Sequence, residues 1–183
     1  MAVLSAPDLS RDFEQFFAHW NALGKHESVG IPLKSALKPM AMTSLLPDMA
    51  LVEYPGPEVL TARVMGTNLD TVLGKNVTNE NLFSFIKEDD KPLSNSFYAK
   101  IVSHPVGGVL TRNVIDSNGT QFAVKSIILP MCDDDGRVVY MLSLYDTSIM
   151  NSTLFTTFGK FLSFSGMSYE WLDIGFGVPD SAA

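Results

Sequence analysis

Apolar residues recur at helical spacing over residues 8–24, where Leu9, Phe13, Phe16, Phe17, Trp20 and Leu23 form one stripe. Arg11, Asp12, Glu14 and Gln15 occupy the other side, and Gly24 is placed to stop the helix. The stripe either covers the chain's own sheet or forms a homodimer seam, so Phe13, Phe16, Phe17 and Trp20 are interface candidates. Gly30, Pro32, Pro39 and Pro47 punctuate residues 25–47 and keep regular structure there short. Residues 49–54 and 59–65 read as strands joined through Pro55-Gly56-Pro57-Glu58, a hairpin. Gly66-Thr67 breaks the second strand, and Leu69, Val72 and Leu73 mark a short helix that Gly74 stops. Leu82, Phe83, Phe85 and Ile86 mark another. Asp89 or Asp90 caps a longer helix with Pro92 in its first turn; Leu93, Phe97 and Ile101 form its stripe, and His104-Pro105 ends it.

Residues 109–115, 121–131 and 137–145 read as three more strands. Asn118-Gly119 and Asp135-Gly136 separate them, residues that tolerate the positive φ of tight hairpins. Leu154, Phe155, Phe158, Phe161 and Leu162 share one face of a helix expected over 152–164. The tail from Tyr169 to Val178 is apolar enough to dock on the body or on a partner. This order predicts one α+β domain over residues 1–183: a helix at 8–24, a core at 45–147, and a helix with tail at 152–183. The core is a five-stranded antiparallel sheet with helices over one face, extended by helices at both ends. No β-α-β alternation points to a parallel nucleotide-binding sheet.

Composition narrows the chemistry. Among 183 residues, 13 Lys and Arg face 20 Asp and Glu, a net charge of −7 that argues against a nucleic-acid partner. One cysteine, Cys132, excludes an internal disulfide, and three histidines leave little for a metal centre, so no metal site is expected. Met1 to Leu9 lacks the basic and apolar regions of a leader, and no apolar run approaches the ~18 residues that span a bilayer. The expectation is a cytoplasmic protein with no membrane partner.

No phosphate-binding loop is present, and Gly175-Phe176-Gly177 lacks the third glycine of a dinucleotide motif. Ser163-Phe164-Ser165-Gly166 does not fit a nucleophile elbow. The aspartates beside Cys132 raise a thiol pKa instead of activating it. Asp133-Asp134-Asp135-Gly136 reads as a hairpin turn and lacks the ligand spacing of a calcium loop. No two titratable groups are placed together, so no catalytic residue is assigned and an enzyme is not expected. Twelve Phe, nine Met and five Tyr either fill an ordinary core or line an adaptable pocket.

Four short motifs carry a resemblance. They are Phe17-Ala18-His19-Trp20, Leu45-Leu46-Pro47-Asp48, Arg63-Val64-Met65-Gly66-Thr67 and Leu73-Gly74-Lys75-Asn76-Val77-Thr78. With the tail Trp171-Leu172-Asp173-Ile174-Gly175-Phe176-Gly177-Val178-Pro179, they resemble the alphaproteobacterial PAS_5 family of PAS-like proteins. The glycine that the family carries after Val77-Thr78 is Asn79 here. The resemblance implies a PAS-like sensory or interaction module that sometimes encloses a small ligand between sheet and helices.

Two PAS chemistries are testable on the residues. Flavin photosensing needs a cysteine in an asparagine-cysteine helix motif, whereas Cys132 is on a late strand. Haem sensing needs a histidine inside the long helix, and His104 stands at its end. Both cofactors are disfavoured, and an unidentified small apolar ligand takes their place. Met65, Phe83, Phe85, Phe97, Tyr98 and Ile101 are its candidate contacts, with Arg63 as polar anchor. The expected function is a stand-alone module that signals by protein contact, as a homodimer and through a separate signalling protein. Trp171 joins the interface candidates. The alternatives are a ligand-free adaptor or scaffold with a filled core, and a small α+β enzyme.

Overall fold

The first helix, α1 (Arg11–Asn21), starts where the Ser10 hydroxyl accepts the Phe13 N–H at 3.4 Å. The computed structural model describes residues 10–179. Asp8 and Leu9, expected at the start of this helix, lie outside the described residues, as do residues 180–183 of the tail.

Short 3₁₀ turns carry the chain to a hairpin of β1 (Met49–Gly56) and β2 (Val59–Met65), followed by the two-turn helix α2 (Thr67–Leu73). The longer helix α3 (Lys91–Ser103) precedes the meander of β3 (Gly107–Asp116), β4 (Gln121–Cys132) and β5 (Val138–Tyr145). Gly119 and Gly136 take φ of 80° and 82° in the two tight turns, as their sequence signals require. A single helical turn, α4 (Thr153–Thr156), leads to β6 (Phe161–Leu172). All neighbouring strands pair antiparallel in the order β2-β1-β5-β4-β3-β6.

The expected antiparallel α+β fold is present, with one strand more than the five expected. The C-terminal helix expected over 152–164 shrinks to α4, and most of the remaining segment pairs with β3. Two forces favour the strand. Gly159 weakens a helix over 152–164 by about 1 kcal/mol, and the outer edge of β3 offers a row of backbone donors and acceptors that would otherwise stay unpaired. Gly166, at φ 53°, sits at the register shift opposite Arg112 and Asn113 and lets the long strand bend.

The sheet has two covered faces. On one, Val52, Leu110, Ile128 and Met141 pack with Leu69 and Leu73 of α2 and Phe97 and Ile101 of α3. On the other, Leu51, Ile127, Leu129 and Leu142 pack with Phe13, Phe16 and Trp20 of α1. The helices therefore do not stop at one face: the N-terminal helix closes the second. The Trp20 indole donates to the Pro130 carbonyl at 2.9 Å, which satisfies its one polar atom inside that layer.

Candidate functional site

Two of the motifs that carried the resemblance, residues 45–48 and 63–67, meet at the start of α2. A Cβ on Gly66 would lie 2.2 Å from the Pro47 carbonyl oxygen, so only glycine admits this close approach. Next to it, Asp48 accepts from Asn68 Nδ2 at 2.8 Å and from the Thr147 hydroxyl, tying β1, α2 and the end of β5 together. Asn79 replaces the family's glycine and occupies the left-handed region at φ 67°, which asparagine tolerates better than most residues. Its N–H donates to the Ala62 carbonyl at 2.7 Å.

A cavity of about 70 Å³ lies between sheet and helices. One water needs ~10–15 Å³, so the space exceeds a single solvent site. Leu69, Val72 and Leu73 of α2 and Tyr98 of α3 form one wall, and the inward rows of β3, β4 and β5 form the other. Those rows are not uniformly apolar. Leu110, Arg112 and Val114 succeed one another on β3; Val124, Ser126 and Ile128 on β4; Ser143 and Tyr145 on β5. Ser126 pairs with Tyr145 across β4–β5 and with Leu110 across β3–β4. Arg112 stands diagonally from Ser126, so a polar stripe crosses the sheet under the cavity.

Arg112 is the one charged side chain on the wall. It donates to the buried Ser94 hydroxyl at 3.0 Å and to Met167 Sδ at 3.2 Å, and lies 5.8 Å from the centre of the Phe164 ring. Among the described residues no carboxylate comes within ion-pair distance of it. Burial pushes the Tyr145 phenol above its ordinary value; nearby Tyr98 adds to that, and Arg112 opposes it. Tyr145 is therefore a neutral hydrogen-bond donor throughout the physiological range.

The structure divides the ligand candidates. Met65 and Tyr98 line the cavity. Phe83, Phe97 and Ile101 are fully buried behind it as core: Phe83 and Phe97 both meet Tyr98 edge-on, with centroids 6.0 and 5.3 Å away. Phe85 instead meets Phe161 of β6 at 5.7 Å. Arg63 lies off the cavity wall and pairs with Glu53 at 2.6 Å on the surface. Arg112 is the arginine on the wall. Its signal was an arginine at the inward phase of Leu110-Arg112-Val114, and Ser126 and Ser143 interrupt apolar strands in the same way.

The interface candidates also resolve. Phe13, Phe16 and Trp20 are core residues, at most 2% exposed, because the sheet's second face needs a cover. Phe17 is half-buried and stacks on Trp20 at 5.8 Å. Trp171, from β6, stacks on Phe97 at 5.2 Å. Phe97 in turn presses on Gly108, where an added Cβ would come within 2.7 Å of its ring.

Cys132 and His104 lie off the cavity wall. Burial and the neighbouring Asp133 push the Cys132 thiol up, and it donates weakly to the Ile31 and Pro32 carbonyls. His104 caps α3, with Nε2 buried and lacking a hydrogen-bond partner. Among the described residues, no group of three or more His, Cys, Asp or Glu is placed to hold a metal, and no helix is long and apolar enough to cross a membrane.

No curated protein sequence matches the chain. Among solved structures, an RNA-binding light-oxygen-voltage receptor is 14% identical with a TM-score of 0.48, over 69% of this chain and 36% of its own. The light state of the blue-light photoreceptor Aureochrome1 LOV is 12% identical with a TM-score of 0.43, over 58% of this chain and 84% of its own. The PAS domain of a Colwellia psychrerythraea protein is also 12% identical with a TM-score of 0.43, over 60% of this chain and 96% of its own. The family model PAS_5, described as a PAS domain, matches residues 10–146, from α1 through β5, and the Gly66–Pro47 contact and left-handed Asn79 give its short motifs a physical basis. The chain belongs to the PAS domain family.

Proposed function

We propose that the chain is a sensory module that takes a small ligand between its sheet and α2–α3, and reports it through protein contact. The carrying observation is the cavity itself: an apolar cup with a few polar side chains converging on it, which is the general form of a small-molecule site. A ligand-free adaptor predicts an apolar lining here like that on the α1 face, whose own cavity of about 100 Å³ is bounded by apolar side chains such as Met42, Met49 and Leu142. The α2–α3 cavity instead carries Arg112, Ser126, Ser143 and Tyr145 on its wall.

The size of the space favours a small guest. Ligand pockets for drug-sized molecules start at roughly 300 Å³, well above the 70 Å³ here. A flavin or haem fits poorly for the same reason, and neither Cys132 nor His104 reaches the wall to attach one. No Asp, Glu, His or Cys lines the cavity, which supports a non-catalytic role. Output passes through a second copy of the chain and a separate signalling protein in the cytoplasm.

Thermal unfolding of the purified protein across a library of small metabolites tests the proposal. A ligand at 100 times its Kd adds about 2.7 kcal/mol to native stability and raises Tm. A library that leaves Tm unchanged throughout overturns the sensor reading. Analytical ultracentrifugation tests the output: a monomer at every concentration removes the homodimer.

A further inference from the structure

We infer that the cavity's ligand is a small monocarboxylic acid whose carboxylate docks on Arg112 and whose apolar body lies against α2. This rests on the sensor reading above and names its ligand class. Arg112 is positioned by the fold itself: β3 runs Leu110, Arg112, Val114 toward the helices, so an arginine occupies a site where a leucine or valine would complete the layer. A guanidinium carries five donors and accepts none. Here its protein acceptors are one hydroxyl, Ser94 Oγ, and one thioether, Met167 Sδ, a weak acceptor. Ser94 is itself committed, donating to the Asp90 carbonyl at 2.8 Å.

Arg112 is half-buried, and even partial desolvation of a charge without a counter-charge costs stability. An arginine retained in this position makes physical sense when a soluble anion completes it. The surroundings fit one head and one tail. Tyr145 and Ser126 place a phenol and a hydroxyl beside Arg112 on the strand wall, and Tyr98 adds a second phenol from α3. Opposite them, Leu69, Val72 and Leu73 offer only hydrocarbon. Arg112 being the lone charge on the wall, a single carboxylate balances the site and a dicarboxylate leaves one charge unmatched.

The test compares acids with their uncharged isosteres: hexanoate against hexanamide and benzoate against benzamide, by calorimetry and thermal shift on the intact protein. The expected result is binding of at least one acid and a loss of about thirtyfold or more for its amide, since truncating one side of a buried charge pair has at least that effect. R112M should lose the acid's binding by a similar factor while its unliganded Tm stays equal or rises, because the variant removes a half-buried charge that has no carboxylate partner. An arginine held for structure alone would instead lower that Tm.

Acid and amide binding equally overturns the inference and leaves the sensor reading intact, as does a folded R112M that keeps full acid affinity. If neither acids nor amides bind while the metabolite library yields a neutral ligand, the inference alone falls. If the library is silent too, both fall. Acid-over-amide selectivity is read on the unmodified protein, so the test survives an R112M that does not fold.

Discussion

The two faces of the sheet are built from the same strands and differ in what fills them. On β4, Ile127 points toward α1 and Ile128 toward α2 and α3, and both are fully buried. Under α1 the layer is apolar throughout: Phe13, Phe16 and Trp20 cover it, and the cavity of about 100 Å³ beside Met42, Met49 and Leu142 is lined by apolar side chains alone. Under α2 and α3 the layer is interrupted by Arg112, Ser126, Ser143 and Tyr145, and a cavity stands over them. Both faces hold a cavity, but only the α2–α3 face sets polar side chains on its wall, and that face is the one equipped to orient a guest. Stability and recognition are therefore divided between opposite sides of a single sheet.

The largest expected effect tests the apolar α1 face. Trp20→Ala or Phe16→Ala should lower unfolding stability by about 3–5 kcal/mol in urea titration. A loss under 1 kcal/mol would show that α1 is an accessory and end the contrast. Overpacking comes next. Leu129→Phe, fully buried and lining neither cavity, should cost about 1–3 kcal/mol, whereas Val124→Leu, on the α2–α3 cavity wall, should cost under 1 kcal/mol because space awaits it. Equal costs would mean that the cavity is no roomier than the core. The adjacent pair sharpens this further: Ile127→Val should fall within about 0.5–1.5 kcal/mol and exceed Ile128→Val, measured as the difference in urea midpoints at constant slope.

The smallest effect belongs to the corner where β6 begins. Asp116 is buried there; desolvation pushes its carboxyl up, but N–H groups of Gly159, Thr120 and Asn118 together hold it below the ordinary carboxylate range. A carboxyl depressed in the folded state stabilises it above the unfolded-state pKa, about 3.9, and that stability is lost as pH falls toward the folded value. Asp116→Asn should flatten the acid limb of stability below about pH 4 without removing it, because Asp133 is depressed as well, its own desolvation outweighed by bonds to Arg137. An unchanged acid limb would assign it elsewhere.

Local signals made most of the fold legible. Asn118-Gly119 and Asp135-Gly136 specify their turns through φ, and period-two alternation specifies the strands between them, so the meander followed directly. The C-terminal segment misled because Phe155, Phe158, Phe161 and Leu162 have helical spacing, while the edge of β3 that recruits them lies far away in sequence. The same limit governed the site. Phe83, Phe97 and Ile101 read as pocket residues from their chemistry, yet which side of a packed layer faces a void depends on neighbours from several elements. Arg112 was readable from alternation alone; Arg63 stood out because it belonged to a recognised motif, and its Glu53 partner on the neighbouring strand decides its role.

β6 has a consequence for the chain as it is made. The family match ends at residue 146, and the strand that covers β3 runs from Phe161 to Leu172. During synthesis β3, β4 and β5 leave the ribosome before the strand that shields them. At ~5–20 residues per second, the β3 border stays open for on the order of seconds. Nascent chains on neighbouring ribosomes can meet along that border, so a gene truncated after β5 should yield polymers in the cell where the intact gene yields free protein.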